Sequence, residues 1–311
     1  MKIHFDNVNW QAGNGPNVFG TRLAKCFFEM GHDIVLTGRD ADISLVFIER
    51  SGNELARKVV QRLDGIWFRP NEFEVKNRGI KALYREADGI VWQSSFDEGM
   101  TRRWWGEPHG QHTVIHNGIA VKPCQELTHP GLIKIRNEYE RIYVCSANWH
   151  PQKRLRANIE LFERLRKKRN SCLFIMGSAA DVRIASPHVF YTGSLSEELY
   201  TEIYAVASWM LHLAWADHCP NVVVEALAQG TPIVCSNVGG TRELVGDYGL
   251  VIEDQPYNYE LADYDNPPII DTSMIEDLSD RLTLDYNCKA NIHIEHTARC
   301  YVDFFERIIN E

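Results

Sequence analysis

Asp217 to Pro232 gathers the residues of this chain best suited to chemistry. An apolar strand ends at Leu213, a polar loop carries Asp217, and a helix starting near Asn221 carries Glu225 about one turn in before Gly230 stops it. The first N–H groups of such a helix have no partner within it, so they form an anion site without any basic side chain. Both carboxylates can then face one pocket at the carboxyl end of a parallel sheet. There they suit hydroxyl recognition, because each oxygen accepts hydrogen bonds from sugar or ribose hydroxyls at roughly 1.5–3 kcal/mol per buried charge-assisted bond. Read as isolated acids, the same residues are a charge at a helix N-terminus and an exposed helix position.

Elements able to hold such a pocket are legible along the whole chain. Short β-type runs alternate with amphipathic helical stretches, the pattern of parallel sheets covered by helices. In the first part the strands read as Lys2–Phe5, Ile34–Leu36, Ile43–Ile48, Ile66–Phe68, Ile90–Trp92 and Thr113–Ile115, with a helix running to Met30 behind a loop rich in Gly and Asn. Pro123, Pro130 and Gly131 punctuate a polar stretch read as the linker. The alternation then restarts with strands at Ile142–Cys145, Leu173–Met176, Val189–Tyr191, Trp209–Leu213, Ile233–Cys235 and Leu250–Ile252. Leu155, Ile159, Phe162 and Leu165 share one helix face, and the basic run that follows reads as a solvated end set against the helix dipole. Residues 253–271 are acidic and aperiodic, and a last helix spans Thr297 to Ile309.

The 311 residues exceed one ordinary domain, and two are expected. With 33 Lys and Arg against 42 Asp and Glu, the net charge of −9 excludes a protein built to cover a nucleic-acid backbone. The eight cysteines contain no C-x-x-C pair and sit mostly in apolar stretches, so they read as buried thiols of a cytoplasmic protein. No apolar run approaches a transmembrane span, and the N-terminus lacks the apolar core of a signal peptide.

The Asp217 stretch resembles the E-x7-E signature of the retaining glycosyltransferases of family 4 (glycosyl transferases group 1). Here it stands as D-x7-E, with the P-N-V-x-x-E-A-x-A-x-G-x-P continuation intact. Ser146 to Arg154 is similar to the family's G-R-L-x-x-x-K-G segment, whose Arg and Lys hold the donor diphosphate. Lys153 falls on the Lys and Asn148 stands where Arg is usual, leaving Arg154 as the candidate for the missing charge. Gly177 and the Gly193-Ser194-Leu195 run look like two strand-end glycine segments, the second of which contacts the nucleobase in the family. Val238 to Leu244 resembles a G-G-x-x-E segment that shapes the pocket. Asn14-Gly15-Pro16 corresponds to a glycine loop near the donor phosphates, and His116-Asn117-Gly118-Ile119 to the stretch leading into the interdomain linker, with Ala120 in place of the usual Asp.

The resemblance implies an α/β GT-B fold, two Rossmann-like parallel-sheet domains facing each other across a cleft. Residues 1–122 form the acceptor-side domain, with the helix at 297–311 packing back on it, and residues 138–290 form the nucleotide-sugar donor domain. The implied activity is retaining transfer of a sugar from a nucleotide-diphosphate donor to an acceptor hydroxyl of a glycan, with no cofactor. Catalytic roles fall on Lys153, Asp217 and Glu225: Lys153 on the leaving diphosphate, Asp217 on sugar hydroxyls, Glu225 on the ribose. Donor binding falls on Gly15, Asn148, Arg154, Gly193, Ser194, Leu195, His218, Asn221 and Val222. No Asp-x-Asp lies at a strand end, so the reaction is expected to need no metal. Lys153 is read as a loop residue whose replacement leaves the fold's stability nearly unchanged.

Three other readings compete. A dehydrogenase needs G-x-G-x-x-G after the first strand, but Val18 stands where the third glycine is due. A GT-B epimerase is disfavoured by the P-N-V-x-x-E-A run. A non-catalytic sugar-nucleotide or glycan-binding protein with a decayed site remains the alternative, since Asp217 and Asn148 depart from the family pattern.

Overall fold

The central strands of both sheets are short runs that parallel pairing buries on both faces, whereas the edge strands stay partly exposed. The computed structural model describes residues 1–13, 15–120, 122–178, 183–278 and 292–311, so Asn14 of the glycine loop and Cys288 lie outside the described residues. The described residues fall into two units, one of 1–120 with 258–263 and 292–311, the other of 122–257 with 264–278.

The first unit holds β1 (Lys2–Asp6), β2 (Asp33–Val35), β3 (Ile43–Phe47), β4 (Val59–Leu63), β5 (Gly89–Trp92) and β6 (Gln111–Val114). They form one parallel sheet in the order β2-β1-β3-β4-β5-β6. Its helices are α1 (Gly15–Glu29), α2 (Phe73–Lys76), α3 (Arg78–Glu86) and α4 (Ser95–Trp105). The second unit holds β7 (Arg141–Ser146), β8 (Ser171–Met176), β9 (Val189–Gly193), β10 (Trp209–His212), β11 (Ile233–Ser236) and β12 (Gly249–Ile252). This sheet is also parallel, in the order β12-β11-β10-β7-β8-β9. Its helices are α5 (Pro130–Glu138), α6 (Leu155–Leu165), α7 (Glu197–Val206), α8 (Asn221–Ala228) and α9 (Thr241–Val245). The chain ends in α10 (Ile294–Asn310), within the first unit.

α10 is helical because Tyr301, Phe304, Phe305 and Ile308 repeat at helical spacing and need a core. They find it against Phe19, Leu23 and Phe27 of α1, with Phe27 5.9 Å from Phe305 and edge-on to Tyr301 at 6.4 Å. Burying each such side chain contributes about 1.5–3 kcal/mol.

Two sequence expectations need correction. The strand read at Ile66–Phe68 is instead Val59–Leu63, disguised by two polar residues that the fold buries. Gln61 donates to the carbonyls of Ile48 (2.6 Å) and Ile80 (2.9 Å). The Arg62 guanidinium stacks over Phe19 and Phe47, pairs with Asp64 and donates to Asn117 Oδ1 at 2.7 Å. The polar stretch read as a linker contains α5, because Pro130 opens a helix rather than breaking one when it stands in the first turn. The described cysteines are free thiols, five of them buried, with Cys124 and Cys300 half-buried.

Candidate active site

In the second sheet β7 and β10 are neighbours, but the chain runs outward from β7 through β8 and β9, then returns to add β10, β11 and β12 on the other side. The loops after β7 and β10 therefore diverge from a topological switch point, where parallel sheets open a crevice at their carboxyl edge. Those are the loops that carry Lys153 and Asp217.

After β7, Pro151–Lys153 make one 3-10 turn with His150 as its N-cap, and Arg154 enters α6 through a left-handed conformation at φ 49°. Gln152 is buried and ties this turn to the β10 loop. Its side-chain amide donates to the carbonyls of Trp215 (2.9 Å) and Ala216 (3.3 Å), and its backbone carbonyl accepts from Trp215 N at 2.9 Å. Ala216 is itself left-handed at φ 51°, a conformation costing an alanine about 1 kcal/mol or more, and the clamp on its carbonyl holds it there. Asp217 follows, with its backbone carbonyl accepting from Gly240 N at 2.7 Å. Gly239, at φ 121°, lies so close that a Cβ there would stand 2.7 Å from Asp217 O. The glycine pair after β11 thus seats the backbone of the acid.

The side chains converge on one carboxylate oxygen. Lys153 Nζ lies 2.5 Å from Asp217 Oδ2, and His212 Nε2 donates to the same oxygen at 3.3 Å. The lysine, aspartate and histidine side chains are 17%, 12% and 3% exposed. Burial alone would raise the Asp217 pKa, but the Lys153 charge and the His212 hydrogen bond outweigh it and hold the carboxyl well below the usual carboxylate range. Lys153 is therefore no exposed loop lysine, and the expectation that its removal leaves stability unchanged does not survive this geometry.

Arg154, expected as the second cation, is committed elsewhere. Its Nη1 lies 2.5 Å from Asp254 Oδ2 and its Nη2 3.3 Å from Oδ1, in a pair whose side chains are 4% and 0% exposed. A guanidinium neutralised at that depth joins α6 to the end of β12, whereas Lys153 pairs with Asp217 at the crevice.

Asn148 is exposed just beyond β7, and its Oδ1 accepts from Ser178 Oγ. Gly177, at φ 101°, presses against the Ala147 carbonyl oxygen, and its N–H donates to Gly193 O at 2.9 Å. These contacts bring Asn148, Gly177 and Gly193 together along the edge of β7, β8 and β9. Gly193 and Ser194 are exposed and Leu195 is half-buried. His218, Asn221 and Val222 are half-buried where the β10 loop enters α8. Pro220 is the N-cap with no side-chain cap, and intrahelical bonding begins with Val223 N donating to Pro220 O at 3.1 Å, so the Asn221 and Val222 amides precede it. Glu225 is half-buried on α8, near Tyr204 of α7. Burial first, and the Glu225 charge second, push the Tyr204 phenol far above its ordinary value, and that hydroxyl also bonds Ser146 at the end of β7. Gly15 belongs to the first unit, where it opens α1. Among the described residues no three His, Cys, Asp or Glu side chains converge as a metal site.

Sequence reasoning missed His212, Gln152 and Asp254. His212 had a signal, an imidazole in an apolar strand five residues before the acid. Gln152 and Asp254 had none, since a loop Gln and an acid after a strand are ordinary.

Residues 140–263 match the family model described as glycosyl transferases group 1. The solved sucrose-phosphate synthase of Thermosynechococcus elongatus is similar over 100% of this chain and 99% of that one, with a TM-score of 0.72 at 14% identity. The fold is GT-B. The Anabaena protein Alr3699/HepE, solved in complex with UDP-glucose, is similar to this GT-B chain with a TM-score of 0.59 at 16% identity, covering 100% and 98% of the two chains. WaaG, a glycosyltransferase involved in lipopolysaccharide biosynthesis, reaches 0.60 at 13% identity over 99% and 98%. No curated protein sequence matches the GT-B chain. The matched segment contains Lys153, His212, Asp217 and Glu225, so the cluster at the switch point lies inside the stretch of the GT-B chain that the family model matches. Among the described residues of the GT-B chain, no helix is long and apolar enough to cross a membrane.

Proposed function

We propose that the chain is a retaining glycosyltransferase that moves a sugar from a nucleotide-diphosphate donor to a hydroxyl of a glycan acceptor. The observation that carries the reading is the Lys153–Asp217–His212 cluster at the β7/β10 switch point, within the segment that matches the group 1 glycosyl transferases. The solved HepE complex with UDP-glucose supports a nucleotide sugar as the donor class.

An ammonium has three donors, and Asp217 takes one from Lys153, leaving two for diphosphate oxygens. As the bond from the anomeric carbon to the diphosphate oxygen breaks, charge grows on the leaving group. Lys153 and the Asn221 and Val222 amides stabilise it, an electrostatic role of the oxyanion-hole kind. The acceptor oxygen attacks on the face the diphosphate leaves, a leaving phosphate oxygen takes its proton, and the anomeric configuration is retained. Asp217 holds sugar hydroxyls, Glu225 the ribose, and Asn148 with Gly193, Ser194 and Leu195 the rest of the nucleotide. With lysine and amides carrying the charge, the reaction uses no metal or cofactor, and free thiols suit a cytoplasmic enzyme.

Incubation with nucleotide sugars and glycan acceptors in EDTA tests this. Release of nucleoside diphosphate with a glycoside of the donor's anomeric configuration, read by NMR, is expected. An inverted product, or turnover restored only by Mg²⁺ or Mn²⁺, overturns the retaining or metal-independent assignment, and failure to bind any nucleotide sugar overturns the whole.

A further inference from the structure

We infer that His212 is a positioning residue for the sugar end of this site, pinning Asp217 Oδ2 so that Oδ1 alone is presented to a donor hydroxyl. The inference rests on the proposed transferase reading.

Lys153 and His212 both approach Oδ2, at 2.5 and 3.3 Å. Oδ1 accepts no hydrogen bond from the described residues, and the side chain as a whole is 12% exposed. The two tethers differ in stiffness. Lys153 hangs on four methylenes from a single turn, so its ammonium can shift toward an arriving diphosphate. His212 is the last residue of β10, a buried strand with β7 on one side and β11 on the other, and its imidazole is 3% exposed. If lysine were the only tether, the carboxylate would turn with it. With histidine holding Oδ2, Lys153 can share its charge with the leaving group while Oδ1 keeps its aim.

Asp217 is also one methylene shorter than the glutamate of the family signature, so it cannot reach after a misplaced sugar. A site that hydrogen-bonds a substrate hydroxyl discriminates strongly against ligands lacking it, provided its acceptor is fixed. The ligand class is thus a nucleotide sugar with a free hydroxyl facing Oδ1, and the residue sets how far the sugar adds to the affinity of the bare nucleotide.

The test compares two affinities by calorimetry. From a panel of UDP-, GDP-, ADP- and dTDP-sugars the tightest is taken, together with its own nucleoside diphosphate. In His212→Leu the nucleotide sugar should lose about tenfold or more, while the nucleoside diphosphate stays within about twofold. His212→Gln, whose amide reaches the position of Nε2, should recover the wild-type ratio, and His212→Asn, one methylene short, should not. If His212→Leu does not fold, the Gln and Asn pair carries the comparison alone. A purely structural histidine would lower both affinities and the melting temperature together in every variant, and that result, or an unchanged ratio in the Leu and Asn variants, overturns the inference. If the wild-type protein binds no nucleotide sugar more tightly than its diphosphate, the transferase reading of Asp217 fails first, and the inference with it.

Discussion

Lys153 and Asp217 hold each other as well as any ligand, which changes what their replacement should do. Lys153→Ala leaves a carboxylate 12% exposed with only His212 beside it. The cost should be about 1–3 kcal/mol, the range for orphaning a buried charged partner that keeps another hydrogen bond. Calorimetric unfolding should show a lowered melting temperature, with turnover down by about ten- to a thousandfold for one lost transition-state donor. An unchanged melting temperature would return Lys153 to an exposed loop. The pH dependence has a definite sign. Because the folded-state pKa of Asp217 is depressed, its contribution is fully present above the unfolded carboxylate value and is lost as pH falls toward the folded one. Asp217→Asn should therefore cost more stability near neutral pH than near about pH 3 in urea titrations. An equal cost at both would mean the carboxylate is not held ionised. At this scale Lys153, Asp217 and Glu225 were singled out only through the resemblance of their segments to the family's motifs, and the fate of Arg154 was not legible at all. Its partner Asp254 lies 100 residues away in sequence, and nothing local in an arginine tells a ligand cation from a buried strut.

Strand-end turns position the site, and their glycines answer to backbone contacts rather than to chemistry. Gly177 combines φ 101° with an approach to the Ala147 carbonyl that leaves no room for a Cβ. Gly177→Ala should cost about 1–3 kcal/mol or more, the scale of a strained left-handed residue with overpacking added. Denaturant titration checks this, and a cost near zero would show that the β7 and β8 turns can separate freely. Most strands and the long helices were readable because parallel strands buried on both faces are apolar throughout. β4 was not, since the Gln61 amide donates to the carbonyls of Ile48 and Ile80 and the Arg62 guanidinium to Asn117, distant partners that only the tertiary fold supplies. α5 was hidden for another reason: Pro130 signals a break and a helix start equally well.

On the scale of the molecule, each unit repeats one plan, a six-stranded parallel sheet with a switch point, between β1 and β3 in the first and between β7 and β10 in the second. In the first unit Asp6, at the end of β1, is capped by Ser51 N at 2.9 Å, by Ser51 Oγ and by Asn53 after β3, so its carboxylate serves the fold. In the second the corresponding crevice carries Lys153, His212 and Asp217. The proposal that a nucleotide sugar binds at this second switch point, with its sugar on Asp217 and its ribose on Glu225, can be tested by titration calorimetry. Asp217→Asn and Glu225→Ala are each titrated with the tightest nucleotide sugar and with its nucleoside diphosphate. Asp217→Asn should weaken the nucleotide sugar and spare the diphosphate, whereas Glu225→Ala should weaken both. Equal losses from the two substitutions, or an unaltered diphosphate affinity in Glu225→Ala, would contradict the account.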